Sequence, residues 1–332
     1  MRIAVIGGGS WGSALAIHLA RAGSEVRLWA REQEVVEGIS RDRHNPLFLS
    51  DFTFPGAVAA TGSLEEVVQG VEAVVFVVPV QVARPVLQAL RPHLAGGVPL
   101  VSASKGIEVA TLQRMDEIVV GELGVPPDRF VVLSGASFAR EVAQGLPTAA
   151  VLAGQDQEQV RALQHAFSTP AFRFYRSADV IGVELAGALK NVIAIAAGMV
   201  FGLGLGHNTL AALLTRGLHE IARLGVKLGG ESATFRGLAG MGDLVVTCTG
   251  ALSRNRTVGE RLGRGEPIAD VLAGREVAEG VPTARAASEL AQRHGVEMPI
   301  TFAIDAILTG KILPREAVTA LMTRELKEES TF

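Results

Sequence analysis

Short, unbroken apolar runs alternate with longer stretches of helical spacing through the first half of the chain. Ile3, Ala4, Val5 and Ile6 form a run too short for a helix, and β-branched residues favour a pleated strand. From Ser13 to Ala22 small and apolar residues continue at helical spacing. Further strands are predicted at Glu25–Trp29 and, after a long loop over residues 40–56, at Val58–Thr61. Ser63-Leu-Glu-Glu reads as a helix start with a capping-box pattern. Ala73–Val78 is apolar throughout, as in a strand buried on both faces, and Pro79 ends it. A helix over about Val82–Leu90 follows, then strands at Pro99–Ser104, Phe130–Leu133, Thr148–Ala153 and Phe172–Tyr175. Thr111–Leu123 reads as a helix, as does the polar-faced stretch between the last two strands. This alternation fits an α/β, doubly wound sheet.

After Tyr175 the strand-like runs mostly vanish. Helices are predicted at about Val180–Met199, Thr209–Leu228, Val258–Arg264, Thr283–His294, Ile300–Thr309 and Arg315–Thr323. The expected organisation is a sheet domain over residues 1–182 and an all-α domain over residues 183–332. The longest apolar run, Val192–Gly206, lacks charge but falls short of the ~20 residues of a bilayer span. It reads as the buried end of a helix and a turn.

The junction between the first strand and the first helix carries Gly7, Gly9 and Gly12, spaced G-x-G-x-x-G. Strand, glycine turn and helix come in the order dinucleotide binding requires. Gly7 permits the tight turn, Gly9 lets backbone N–H groups approach a pyrophosphate, and Gly12 lets helix and strand pack closely. The first domain is therefore expected to be a dinucleotide-binding Rossmann domain. A glycine-rich turn in some other α/β protein is the alternative. Arg31 follows the second strand, where an NAD-selective site often has a carboxylate. An arginine there can pair with a 2′-phosphate through its rigid fork, which predicts that NADP(H) is accepted. A solvated surface arginine is the competing reading.

Net charge narrows the partners. At -3 it gives no reason to expect nucleic acid or an acidic membrane surface. The single cysteine, Cys248, excludes an internal disulfide and a cysteine-based metal cluster, which suits a reducing compartment. The chain enters a strand almost at once, leaving no room for a signal peptide, so a cytoplasmic location is expected. The histidines show no metal-ligand spacing, and no metal is expected.

Lys190 stands in an otherwise apolar helix between Gly187 and Ala194, at i−3 and i+4. A buried charge without a partner is expensive, so this lysine should snorkel, pair or do chemistry. Desolvation lowers a lysine pKa, and such a group could give a proton to the alkoxide formed when hydride reduces a ketone. The competing reading is a structural lysine paired with a carboxylate such as Glu184. Lys105, Arg254 and Asn255 form a candidate anion site, with a solvated face as the alternative for Arg254 and Arg256. Asp243 is either a turn former or helix cap, or a group that orients Lys190 or accepts a substrate hydroxyl. His207, next to Gly206, reads as a turn residue with a catalytic role as the alternative, and Cys248 reads as structural rather than nucleophilic.

Several stretches together resemble bacterial-type NAD(P)-dependent glycerol-3-phosphate dehydrogenases. They are Gly7-Gly-Gly-Ser-Trp-Gly-Ser-Ala-Leu15, Ser104-Lys-Gly-Ile107, Ser134-Gly-Ala-Ser-Phe-Ala139, Leu189-Lys-Asn-Val-Ile-Ala194, Gly240-Met-Gly-Asp-Leu-Val-Val-Thr-Cys248 and Ser253-Arg-Asn-Arg256. The resemblance covers nearly the whole chain. It implies a Rossmann domain followed by a helical substrate-binding domain, commonly as a homodimer. It also implies interconversion of sn-glycerol 3-phosphate and dihydroxyacetone phosphate with NAD(H) or NADP(H), feeding phospholipid synthesis. By the same resemblance Lys190 is the proton donor and acceptor. Lys105, Gly135, Ser137, Lys190, Asp243, Ser253, Arg254 and Asn255 fall at substrate positions. Ser10, Trp11, Arg31, Lys105, Ala139, Arg254, Val277 and Glu279 fall at cofactor positions, beside Gly7, Gly9 and Gly12 of the turn. The family often has proline where this chain has Ala136, which bears on the geometry of that loop.

Two other functions remain open on the residues alone. One is a lysine-dependent dehydrogenase of the same architecture acting on a β-hydroxy acid without phosphate. The other is a non-catalytic nucleotide sensor, which leaves Lys190, Asp243 and Arg254 without a purpose.

Overall fold

A computed structural model describes residues 1–273, 278–326 and 328–329. The chain divides into two compact units, one of residues 1–104 and 115–180, the other of residues 105–114 and 181–332. A single break near 182 was expected. Instead Lys105–Arg114 leaves the first unit and belongs to the second.

The first unit is an eight-stranded sheet in the order β3-β2-β1-β4-β5-β6-β7-β8. Its strands are β1 (Arg2–Ile6), β2 (Glu25–Trp29), β3 (Val58–Thr61), β4 (Ala73–Phe76), β5 (Leu100–Ser102), β6 (Phe130–Ala136), β7 (Thr148–Gly154) and β8 (Phe172–Ser177). From β3 to β6 every pairing is parallel, with the order reversing at β1, as in a doubly wound dinucleotide-binding sheet. Ile3 to Ile6 are fully buried because β1 lies centrally between β2 and β4. β7 runs antiparallel to β6, a reversal the alternation of elements did not announce. The link between them holds a helix of only 6 residues, Ala139–Gln144, too short for a parallel crossover. The antiparallel pairing carries β6 through Ala136, opposite Ala149, beyond the predicted end at Leu133.

Gln33–Asp42 is a helix, so the loop predicted from residue 40 begins later. At Ser63 the capping box is half formed: the Ser63 hydroxyl accepts from Glu66 N, but the Glu66 carboxylate takes the Thr61 hydroxyl instead.

The second unit is helical. Its longest helix, Val180–Gly202, has 23 residues. Among the described residues it is the one helix long and apolar enough to cross a membrane, but most of it is buried inside the protein. It is longer than the apolar run Val192–Gly206 because it begins twelve positions earlier and takes Lys190 with it. It crosses the helix Arg254–Gly263 at backbone contact. A Cβ at Gly198, Gly202 or Gly259 would overlap a carbonyl oxygen of the facing helix, and at Gly263 it would come within 2.8 Å of the Met199 oxygen. The helix begins at Arg254, before the predicted Val258, because the Ser253 hydroxyl accepts from Arg256 N and caps it. The segment Lys105–Arg114 is anchored in this unit by Ile107 and Leu112, both buried in the helical core.

Candidate functional site

In the first unit the glycine turn joins β1 to the helix Ser10–Arg21. Three of its glycines are demanded by the protein itself, one of them Gly8, where a Cβ would lie 2.6 Å from the Ala30 Cβ. Gly7 has φ 127°, and a Cβ there would lie 2.8 Å from the Val77 carbonyl oxygen. A Cβ at Gly12 would overlap the Gly7 carbonyl oxygen. Gly9 differs, since a Cβ there meets no atom within 4 Å. Packing does not explain that glycine, whereas close approach of a ligand does. Gly9 is also the N-cap and offers no side chain to the N–H groups of the first turn, the end of a helix that attracts anions. The turn therefore fits a dinucleotide pyrophosphate.

Ser10 and Trp11 open that helix, with Trp11 packed against the sheet core. Arg31 lies just beyond β2, its side chain 81% exposed and paired with Glu32 at 2.7 Å. Such an exposed pair is worth about 0–1 kcal/mol and yields easily to a phosphate. Gly135, inside β6, has φ 153°, and a Cβ would come within 2.7 Å of the Ala150 Cα. The Ser137 hydroxyl donates to the Gly135 carbonyl at 3.1 Å. Ala139 begins the next helix.

The second unit assembles the charged groups. Lys190 is 6% exposed, and its ammonium donates to Asp243 Oδ1 at 2.5 Å and to Thr247 Oγ1 at 2.6 Å. Lys105 donates to the other carboxylate oxygen of Asp243, also at 2.5 Å. One buried carboxylate is thus shared by two ammonium groups. Burial pulls the Lys190 pKa down, the Asp243 charge opposes it and Lys105 assists it, leaving it at about 8. Burial works to raise the Asp243 pKa, but the two lysines outweigh it and hold the carboxyl below its ordinary value. Glu184, the carboxylate suggested by spacing, pairs instead with Arg114 at 3.5 Å. Asp243 is not in a turn. It begins the helix Asp243–Thr249, directly after a π-helical turn over Leu238–Gly242. That start places Thr247 at i+4, where its hydroxyl reaches Asp243 Oδ1 at 3.3 Å.

Asn255 is buried, with one Nδ2 hydrogen donated to Asn191 Oδ1 and its Oδ1 accepting from Gly280 N, both at 2.9 Å. Arg254, exposed, begins the same helix that Ser253 caps. Glu279 has a buried Oε2 with no hydrogen-bond partner among the described residues. Burial pushes its pKa up to about 7 against the pull of Arg254. Val277 lies outside the described residues. His207 is the first residue of a helix, and burial pushes the Cys248 thiol up to about 12, which leaves it inert. Thr247 and Asn191 were missed in the sequence. An i,i+4 relation to Asp243 would have found the first, and only the fold brings Asn191 to Asn255.

The sheet order, the glycine turn and the buried lysine–aspartate cluster define a Rossmann-type, NAD(P)-dependent oxidoreductase. Residues 2–160 match the N-terminal part of the NAD-dependent glycerol-3-phosphate dehydrogenase family, and residues 179–319 match its C-terminal part. The chain is 55% identical to a glycerol-3-phosphate dehydrogenase [NAD(P)+] of Geobacter sulfurreducens, covering 99% of this chain and 98% of the relative. It is 53% identical to the same-named protein of Nitratidesulfovibrio vulgaris, over 99% of this chain and 100% of that one. The crystal structure of glycerol-3-phosphate dehydrogenase from Coxiella burnetii superposes with a TM-score of 0.92 at 40% identity, covering 97% of this chain and 99% of that chain. The chain belongs to the NAD-dependent glycerol-3-phosphate dehydrogenase family.

Proposed function

We propose that this protein interconverts sn-glycerol 3-phosphate and dihydroxyacetone phosphate, with Lys190 as proton donor and acceptor. The carrying observation is the buried Lys190 ammonium, held at 2.5 Å by Asp243 and brought to a pKa of about 8. A general acid–base group works best near the operating pH, and such a group typically contributes about 10²–10⁴-fold. Bound NAD(P)H supplies the hydride to the ketone carbon. Two N–H bonds of the Lys190 ammonium are engaged by Asp243 and Thr247, and the third is left to give its proton to the substrate oxygen. Asp243 and Thr247 fix the direction of that N–H. In the reverse direction the neutral amine takes the hydroxyl proton back.

Lys105, Lys190 and Asp243 together carry one net positive charge, suited to a phosphorylated substrate. Arg254 and Asn255, with Ser253, Gly135 and Ser137, are the proposed remaining substrate contacts. Binding energy from the phosphate then positions the reacting carbon. Gly7, Gly9, Ser10, Trp11, Gly12, Arg31, Lys105, Ala139, Arg254, Val277 and Glu279 are the proposed cofactor residues. The enzyme acts in the cytoplasm as a homodimer and supplies glycerol 3-phosphate to phospholipid synthesis.

The test is Lys190→Ala, assayed by oxidation of NADPH and NADH with dihydroxyacetone phosphate. It should lose most of kcat while circular dichroism and Tm stay close to wild type, and a near-wild-type kcat removes Lys190 from the chemistry. Activity on β-keto acids lacking phosphate, in preference to the phosphorylated ketone, would reassign the substrate.

A further inference from the structure

We infer that Asn45 is a positioning residue for the cofactor, a latch that holds the peptide between Gly8 and Gly9 in its binding orientation. This rests on the reading that the glycine turn receives the pyrophosphate.

Asn45 lies in the loop after the helix Gln33–Asp42 and is fully buried. Its Nδ2 donates to the Gly8 carbonyl at 2.8 Å and to Ser13 Oγ at 2.9 Å. Its Oδ1 accepts from Leu47 N at 3.0 Å and Phe48 N at 3.1 Å. Both amide hydrogens and both lone pairs are therefore used. The amide orientation is fixed as well, since the flipped form would set its N–H groups against two backbone N–H groups. Ser13 Oγ also donates to the Gly8 carbonyl, at 3.4 Å.

Planarity converts this into a statement about binding. In a trans peptide the C=O and the following N–H point in opposite directions. Pinning the Gly8 oxygen towards Asn45 therefore aims the Gly9 N–H the other way. With glycine on both sides, this peptide has little steric resistance to rotation, and an unpinned carbonyl could turn its oxygen toward an incoming phosphate. Helix packing fixes Gly12 and the strand fixes Gly7, whereas the peptide between Gly8 and Gly9 is held at its oxygen by the Asn45 amide at 2.8 Å and, at the longer 3.4 Å, by Ser13 Oγ. The carboxamide suits this role because it donates to an oxygen while its own oxygen ties down the next loop.

The experiment uses the full chain, with NADPH and NADH binding titrated directly by nucleotide fluorescence alongside kinetics and Tm. Asn45→Ala should raise Kd for both nucleotides by about tenfold or more, the scale of losing a buried polar partner. The KM for dihydroxyacetone phosphate at saturating cofactor should stay within about twofold, because uniform substrate binding is untouched. A merely structural asparagine would lower Tm with Kd unchanged, and that result overturns the proposal. Should Asn45→Ala fail to fold, Ser13→Ala carries the test. It removes the second donor to the same carbonyl and should raise Kd by about threefold, the low end for one hydrogen bond, and an unchanged Kd counts against the latch. Gly9→Val separates the two readings by filling the open space at the turn. If it leaves nucleotide binding intact, the turn is not the cofactor's site. If it abolishes binding while Asn45→Ala binds normally, only the latch is overturned.

Discussion

Replacing Asp243 with asparagine keeps the shape of the side chain and removes the charge shared by Lys190 and Lys105, each 2.5 Å from one of its oxygens. An opposite charge at this range moves a pKa by about 1–3 units. Without it, Lys190 should fall from about 8 to the region of about 5–7. At pH 7.5 a group of pKa about 8 is roughly three-quarters protonated, and one of pKa about 6 only about 3%. Protonation alone then costs roughly 25-fold in the reducing direction, before any loss of alignment. The sign follows from the proton's route. On the proposed route reduction needs Lys190 charged, so kcat/KM for dihydroxyacetone phosphate should fall as pH rises through about 8 in the wild type. In Asp243→Asn that limb should move to about pH 5–7. Oxidation of glycerol 3-phosphate should show the mirror image. The substrate's own phosphate titrates at about 6 whichever enzyme is assayed, so only the difference between the profiles is read. The assay is kcat/KM against pH, which reports the free enzyme. A limb at the same pH in both enzymes would refute control of Lys190 by Asp243.

Glu220 is buried and accepts from Ile300 N at 2.7 Å, Thr301 N at 3.1 Å and the Thr301 hydroxyl at 3.2 Å, at the start of the helix Pro299–Leu308. Glu220→Ala should cost about 1–3 kcal/mol for each donor left unpaired, measured by urea denaturation. Burial raises the Glu220 pKa to about 7 from 4.5, so between those values the folded state keeps a proton the unfolded chain has lost. Its contribution to stability should therefore fall as pH rises through that window, and Glu220→Gln should flatten that dependence. Gly259→Ala should lower Tm sharply, because its Cβ overlaps the Ile195 carbonyl oxygen. Gly121→Ala, where a Cβ meets nothing within 4 Å on the helix Met115–Leu123, should stabilise by about 0.5–1 kcal/mol. Arg31→Glu should lower the ratio of kcat/KM for NADPH over NADH, and an unchanged ratio removes Arg31 from 2′-phosphate recognition.

The sheet was readable because its strands are short and its central ones, β1 from Ile3 and β4, are apolar runs buried on both faces. β2 and β3 have the predicted bounds, since each is paired along its whole length in the parallel sheet. Errors collect where pairing or capping, rather than composition, decides the end. β4 stops at Phe76 because that residue is the last paired with β1, although the apolar run continues to Val78. β6 runs on through Gly135 because an antiparallel neighbour is there to receive it. The helix Arg254–Gly263 starts early because one serine caps it. Gln33–Asp42 escaped notice since only Val35, Gly38 and Ile39 are buried, too few to stand out from the polar residues around them.

At the site, residue types were legible and pairings were not. A lysine in an apolar helix announces that some anion must meet it, but the chain offers many carboxylates, and the nearest in sequence, Glu184, belongs to Arg114. The true partner depends on two events with no local periodicity. A π-helical turn ends at Gly242, so that the helix starting at Asp243 presents both the carboxylate and Thr247 to the Lys190 ammonium. After β5 the segment Lys105–Arg114 enters the helical unit, drawn by Ile107 and Leu112, two separated apolar residues in a stretch that reads as a loop becoming a helix. Those two side chains are what bring Lys105 to a carboxylate 138 positions away. They fix the charge balance around Lys190, since an isolated Lys190–Asp243 pair would be neutral and would lack the like charge that helps lower the Lys190 pKa. The tuning of the proposed acid therefore rests on hydrophobic packing at Ile107 and Leu112 as much as on the charged residues themselves.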